Sequence, residues 1–179
     1  MEIEEVFNLI KSKTMAKRLK RELDTLIDLY VIIQVDFTNK GELKLFLQKK
    51  EDYNFNIFCF TFSNDYPFRP PIININNQGY FDSLRLNSPR FNTILRYLYG
   101  LNCLCCSSFL CRDHWSPAFT VKKILEEIDN YKLIKRNIIR KLLLDKIKDQ
   151  YLISDIDLDS WLFNIMSPSR ILQFPKLVN

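Results

Sequence analysis

Glycine and histidine are scarce in this chain, and no apolar run is long. Three glycines and seven prolines in 179 residues exclude a collagen-like repeat and a Gly/Pro-rich disordered chain. No stretch approaches the roughly 18 uninterrupted apolar residues of a membrane span. The opening "MEIEEVFNLIKSK" carries acids where a secretory leader is basic and then apolar. The expected location is therefore the cytoplasm, the nucleus or both, with no membrane partner. Charge of one sign is not in large excess either: 26 basic against 21 acidic side chains give a net +5, with the two signs interspersed. That balance argues against nucleic acid as the main partner. The 47% hydrophobic and 26% charged content are those of an ordinary soluble globular protein, of a length for one domain with additions.

Residues 14–30, "TMAKRLKRELDTLIDLY", space Leu19, Leu23, Leu26, Ile27 and Tyr30 at helical intervals, with Lys17, Arg18, Lys20 and Arg21 around the rest of the turn. An amphipathic helix with a basic outer side is predicted. Three strand-like runs follow: "YVIIQVDF", "LKLFLQKK" with Leu43, Leu45 and Leu47 alternating, and "NIFCFTFS" with Phe58, Phe60 and Phe62 alternating. "TNKGE" joins the first two as a hairpin turn, so an antiparallel meander with one buried face is expected. The prolines of "NDYPFRPPIININ" force an extended, turning segment before a fourth strand at 72–75. Residues 77–99 lack strong periodicity and are read as a long irregular loop.

Ser116 and Pro117 suit a helix N-cap and first helical position, opening a helix with Val121, Ile124, Leu125 and Ile128 on one face. A basic amphipathic helix over 131–151 continues it or bends from it near Asp129-Asn130, and "DIDLDSWLFNIM" is read as a last short helix. The expected class is α+β: an N-terminal helix, a four-stranded antiparallel meander, then C-terminal helices. Its divisions are a lead-in at 1–13, a core at 14–130 and a helical region at 131–179.

The run "GLNCLCCSSFLCRDHWSPAF", residues 100–119, holds four of the five cysteines and the only histidine. An odd cysteine count without an export signal predicts reduced thiols. Cys105 and Cys106 are adjacent and would form only a strained disulfide. Three readings of the run stand side by side. Cys103, Cys106, Cys111 and His114 give C-x2-C-x4-C-x2-H, enough soft ligands for tetrahedral zinc. Taken singly, Cys105, Cys106 and Cys111 read as small buried hydrophobes, as does Cys59 inside its strand of phenylalanines. A nucleophilic thiol needs partial exposure and help in ionising; a thiol that reacts with an already activated thioester needs no resident histidine.

Four segments, in order, resemble the ubiquitin-conjugating (E2) family over about residues 14–128: "MAKRLKREL", similar to the opening of the first helix; "NDYPFRPPI", similar to the Tyr-Pro-Phe-x-Pro-Pro signature; "GLNCL", similar to the nucleophile loop; and "HWSPAFTVKKILEEI", similar to the Trp-Ser-Pro-Ala element. The resemblance implies the E2 fold. It also implies a modifier, ubiquitin or a related protein, carried as a thioester on Cys103 and transferred to a lysine. Partners would be the modifier, an activating enzyme and ubiquitin ligases, with no metal and no other cofactor. Phe68, Pro117 and Ala118 would be exposed ligase contacts, and Lys17 and Arg21 would face the activating enzyme. No His-Pro-Asn motif precedes Cys103. Asn92 is taken as the oxyanion donor, with Asn87 as the alternative, and "NSPRFN" is the nearest echo of the motif. Cys103 and Trp115 are twelve positions apart, which implies an inserted middle and leaves Cys105 and Cys106 open as nucleophiles. The alternative function is a catalytically silent relative that binds ubiquitin or ligases, with a zinc-stabilised Cys/His loop.

Overall fold

A computed structural model describes residues 10, 12–51, 55–85 and 88–151. Helix α1, Lys13–Asp24, starts where the Ser12 hydroxyl accepts from the Met15 N–H at 3.3 Å, an N-cap that satisfies one of the donors a helix leaves open. Its buried face is Met15, Leu19, Glu22 and Leu23. The helix is shorter than the apolar spacing suggested: Thr25 closes it by donating its hydroxyl to the Glu22 carbonyl at 2.6 Å. Leu26 and Tyr30 remain buried, but Ile27 lies beyond the last turn and is 58% exposed.

Strands β1 (Tyr30–Phe37), β2 (Leu43–Lys49), β3 (Ile57–Phe62), β4 (Ile72–Ile75) and β5 (Gln78–Gly79) form one antiparallel sheet in chain order. The alternation in β2 and β3 sets the register that puts Leu43 opposite Phe62, Leu45 opposite Phe60 and Leu47 opposite Phe58. All six side chains are buried on one face, because successive residues of a strand point to opposite sides. The "TNKGE" turn forms as expected, with the Thr38 N–H donating to the Glu42 carbonyl at 2.8 Å and Gly41 at φ 76°, a conformation that favours glycine.

The strand count is five where four were expected, and residues 77–99 are structured rather than irregular. Asn76 and Asn77 take φ 50° and 65°, the left-handed pair that two-residue hairpins require, and so return the chain along β4 as β5. Helix α2, Tyr80–Leu84, follows directly, and helix α3 spans Pro89–Tyr99. Ser88 caps α3, Pro89 occupies its first turn, and Gly100 ends it at φ 67°.

The Ser-Pro start expected at Ser116-Pro117 is not a helix start. Residues 116–119 form a turn, and the long helix begins at Val121, where the Thr120 hydroxyl accepts from the Lys123 N–H at 3.3 Å. After Leu104–Ser107, a single turn labelled α4, this helix α5 runs unbroken over Val121–Tyr151. Val121, Ile124, Leu125, Ile128, Tyr131, Ile134 and Ile138 join α1 and the sheet in one core. The short helix expected in "DIDLDSWLFNIM", and the lead-in up to residue 9, lie outside the described residues. Among those described, no helix is long and apolar enough to cross a membrane.

Glu22 is only 4% exposed. Both its carboxylate oxygens accept from the Tyr66 hydroxyl, at 3.0 and 2.9 Å. The Val121 N–H donates to it at 2.8 Å, and the Arg18 guanidinium pairs with it. Arg18 is therefore turned inward rather than lying on the basic outer side, and its Nη2 also donates to the Phe119 carbonyl at 3.2 Å. Burial, then the Glu22 carboxylate, hold the Tyr66 hydroxyl far above its ordinary pKa, so it remains a donor. One carboxylate thus joins α1, the segment after β3 and the start of α5. Glu22→Ala is expected to cost about 3 kcal/mol in urea unfolding, because it strands two donors and a half-buried cation. Glu22→Gln should cost less. A loss below about 0.5 kcal/mol, the scale of an ordinary surface change, would contradict this role.

Candidate functional site

The cysteine run is suspended between α3 and α5. Gly100 donates its N–H to the Arg96 carbonyl at 2.9 Å and, in the left-handed conformation, turns the chain off the helix. Asn102 accepts from the Arg96 side chain at 3.0 Å. Cys103 is extended, at φ −158° and ψ 136°, and immediately precedes the single turn of α4. Ser107 ties that turn back by donating its hydroxyl to the Cys103 carbonyl at 2.8 Å.

A second buried carboxylate holds the other end. Glu127, on α5 and 8% exposed, accepts from the Ser108 hydroxyl at 2.6 Å, the Phe109 N–H at 3.0 Å and the Tyr80 hydroxyl at 3.2 Å. The Ser108 hydroxyl in turn accepts from the Leu110 N–H at 3.1 Å. Leu104 and Leu110 are buried on either side, so the loop is anchored by two apolar side chains and one hydrogen-bonded carboxylate. A buried carboxylate is tolerated only when donors replace its water, and here three of them come from the loop and from α2. Burial and then Glu127 raise the Tyr80 hydroxyl well above its ordinary pKa. Burial, Glu127, Cys103 and Cys105 push Tyr131 up to about 12.

Within this frame Cys103, Cys105 and Cys106 come together, no two sulfurs more than 4.8 Å apart, with Cys105 Sγ and Cys106 Sγ at 3.9 Å. All five cysteines are thiols. Cys103 and Cys105 are half-buried, Cys106 is exposed and Cys59 is buried in its strand. Burial opposes ionisation of Cys103. Its interactions with the thiols and backbone N–H groups of Cys105 and Cys106 outweigh that, so its pKa lies below that of an ordinary thiol. Cys105 is pushed the other way, to about 12, by burial and by its two sulfur neighbours. Of the four ligands expected for zinc, Cys103 and Cys106 are in this group while Cys111 and His114 are not. Cys111 instead lines an adjoining pocket of about 600 Å³ with Cys105, Cys106, Arg69, Arg85 and Arg112.

The two loops that carry Phe68, Pro117 and Ala118 are joined directly. The Trp115 indole N–H donates to the Pro67 carbonyl at 2.8 Å, which clamps the proline-rich segment to the Ser116–Phe119 turn. Tyr66, Trp115 and Phe119 pack in sequence, with ring centroids 6.4 and 5.7 Å apart. Phe68 projects from one loop, 75% exposed, while Pro117 and Ala118 are exposed on the other. Lys17 and Arg21 are exposed on α1. Asn92 is exposed in the first turn of α3, about 12 Å along the helix axis from Gly100, at the opposite end of that helix. Asn87 lies outside the described residues.

Glu22, Glu127 and Ser108 went unmarked in the sequence. Glutamates in a charged helix look like a solvated face, and their partners are up to 99 residues away. No protein-family model, curated protein or solved structure shows a significant match to the chain.

The opposed thiols give a pH-resolved test. Limiting alkylation between about pH 7 and 9, the range around an ordinary thiol pKa, should label Cys103 before Cys105. The Cys103 rate profile should have its midpoint below an ordinary thiol's, because a lowered pKa leaves more thiolate at a given pH. Mass mapping that finds Cys105 labelled first would contradict the arrangement.

Proposed function

We propose that the chain is a divergent conjugating enzyme for ubiquitin or a related modifier, built on an E2-like fold, with Cys103 as the thiol that carries the modifier. The observation that carries this reading is the half-buried Cys103, its pKa drawn below that of an ordinary thiol by Cys105 and Cys106 against the effect of burial, in a loop pinned to α5 through Glu127. The two exposed loops joined by Trp115 and Pro67 support it as a ligase-binding rim, and Lys17 and Arg21 as the edge that meets the activating enzyme. The α+β order of helix, antiparallel sheet and long C-terminal helix is compatible with the resemblance of the four sequence segments.

In the proposed reaction the Cys103 thiolate attacks the carbonyl of the modifier's thioester on the activating enzyme. A tetrahedral oxyanion forms and collapses, the activating enzyme's thiolate leaves, and the modifier is held on Cys103. A neutral lysine amine then attacks that carbonyl, expels the Cys103 thiolate and releases its proton to solvent, leaving an amide. Each oxyanion calls for a placed donor, and a misplaced one costs orders of magnitude in rate. The placement of Asn92 in the first turn of α3, at the end of that helix opposite to Gly100, favours a second reading, a silent relative that binds modifier or ligase through the same rim without carrying a thioester.

Incubation with activating enzyme, ATP and ubiquitin, followed by a non-reducing gel, separates the two. An adduct that thiol reductant removes, absent in Cys103→Ala and retained in Cys105→Ala, is the expected result. Phe68→Ala should leave that adduct intact and slow only ligase-dependent discharge. Ubiquitin binding without an adduct, for every modifier tried, would establish the silent module instead.

A further inference from the structure

The sulfur geometry at Cys103, Cys105 and Cys106 goes beyond what a single nucleophile requires. Zinc–thiolate bonds of about 2.3 Å in tetrahedral array place neighbouring sulfurs about 3.8 Å apart. Cys105 and Cys106 already stand at 3.9 Å, and the whole trio lies within 4.8 Å. We propose that these three thiolates form a binding site for a thiophilic cation, Zn²⁺ in the first instance. The fourth position is left to an external ligand on the side of the pocket.

The ligand chemistry and the surroundings agree with this. Thiolate is the soft donor that selects zinc and its neighbours over magnesium or calcium. Three thiolates on one divalent ion carry a net charge of −1, and Arg69, Arg85 and Arg112 line the adjoining pocket of about 600 Å³ to meet it. Among the described residues, Arg69 and Arg85 form exposed pairs with Asp65 at 3.2 Å and Asp82 at 3.8 Å, a kind that holds weakly. The loop is also held in place before any cation arrives, by Glu127 at Ser108 and Phe109 and by the Ser107–Cys103 hydrogen bond. The site therefore differs from the C-x2-C-x4-C-x2-H set read from spacing: it substitutes Cys105 for Cys111 and His114. It stands on the sulfur geometry alone. Only its consequence rests on the conjugating-enzyme reading: a cation and an acyl group exclude each other at Cys103.

The test uses the full-length reduced protein and Co²⁺ as the spectroscopic probe, with no activating enzyme, so its outcome is independent of thioester formation. One equivalent of Co²⁺ should give thiolate-to-metal charge-transfer absorption that Zn²⁺ displaces. Cys103→Ser, Cys105→Ser and Cys106→Ser should each weaken binding by at least about 100-fold, the upper end of what loss of a mere outer-shell partner costs. Cys59→Ser and Cys111→Ser should leave stoichiometry and intensity unchanged. Circular dichroism of each metal-free variant checks that the fold is retained. Absence of the band in the wild-type protein, or a band that survives Cys105→Ser but is lost in Cys111→Ser, would overturn the site.

Discussion

A carboxylate removed from water must be met by donors, and two buried glutamates impose that requirement on most of this fold. Glu22 meets it with Tyr66, Arg18 and the N–H of Val121, and Glu127 meets it with Ser108, Phe109 and Tyr80. Each set draws on parts of the chain that are distant in sequence. The apolar core supplies the driving force for collapse and sets the strand register. The carboxylates set the segments around the sheet, because a displaced donor leaves a buried charge unsatisfied. Glu22 thereby fixes where α5 begins relative to α1, and Glu127, six residues after Val121 on that same helix, fixes where the cysteine loop lies.

The proposed functional surface follows from those two positions. With α5 started at Val121, the turn before it brings Trp115 to the Pro67 carbonyl, and the apolar tips Phe68, Pro117 and Ala118 are presented together. With Ser108 and Phe109 held, the four-residue turn Leu104–Ser107 folds its cysteines back toward Cys103. The same crowding that favours the Cys103 thiolate and disfavours that of Cys105 also creates a three-sulfur cluster. A single local arrangement thus underlies both the proposed acyl-carrying thiol and the proposed cation site.

The sheet was legible in the sequence because its signal is strictly local. Leu43, Leu45 and Leu47 and Phe58, Phe60 and Phe62 alternate, and a one-residue slip would expose all of them. Residues 77–99 differ from the irregular loop their sequence predicts because their structural signals are brief. Asn76-Asn77 makes a left-handed turn without the usual glycine, and α3 buries only Phe91 and Leu95 on its inner face. Yet α3 carries start and stop marks: Gly100 closes it, and Ser88-Pro89 opens it with the same kind of punctuation as Ser116-Pro117. There the Thr120 cap prevailed, because the Val121 N–H is drawn to Glu22. The grouping of Cys103 with Cys105 and Cys106, in preference to Cys111 and His114, depends on a single helical turn that spacing alone does not reveal.

The central claim is that one thiol of the four in residues 100–119 accepts an acyl group, and that it is Cys103. The most direct measurement is site-resolved protection from alkylation after exposure to charged activating enzyme, with fragment-ion mapping inside the segment 97–112. The account predicts protection at Cys103 alone, reversed by hydroxylamine, with Cys105, Cys106 and Cys111 labelled as before. Protection at Cys105 or Cys106 instead, or no protection at any of them, would contradict it.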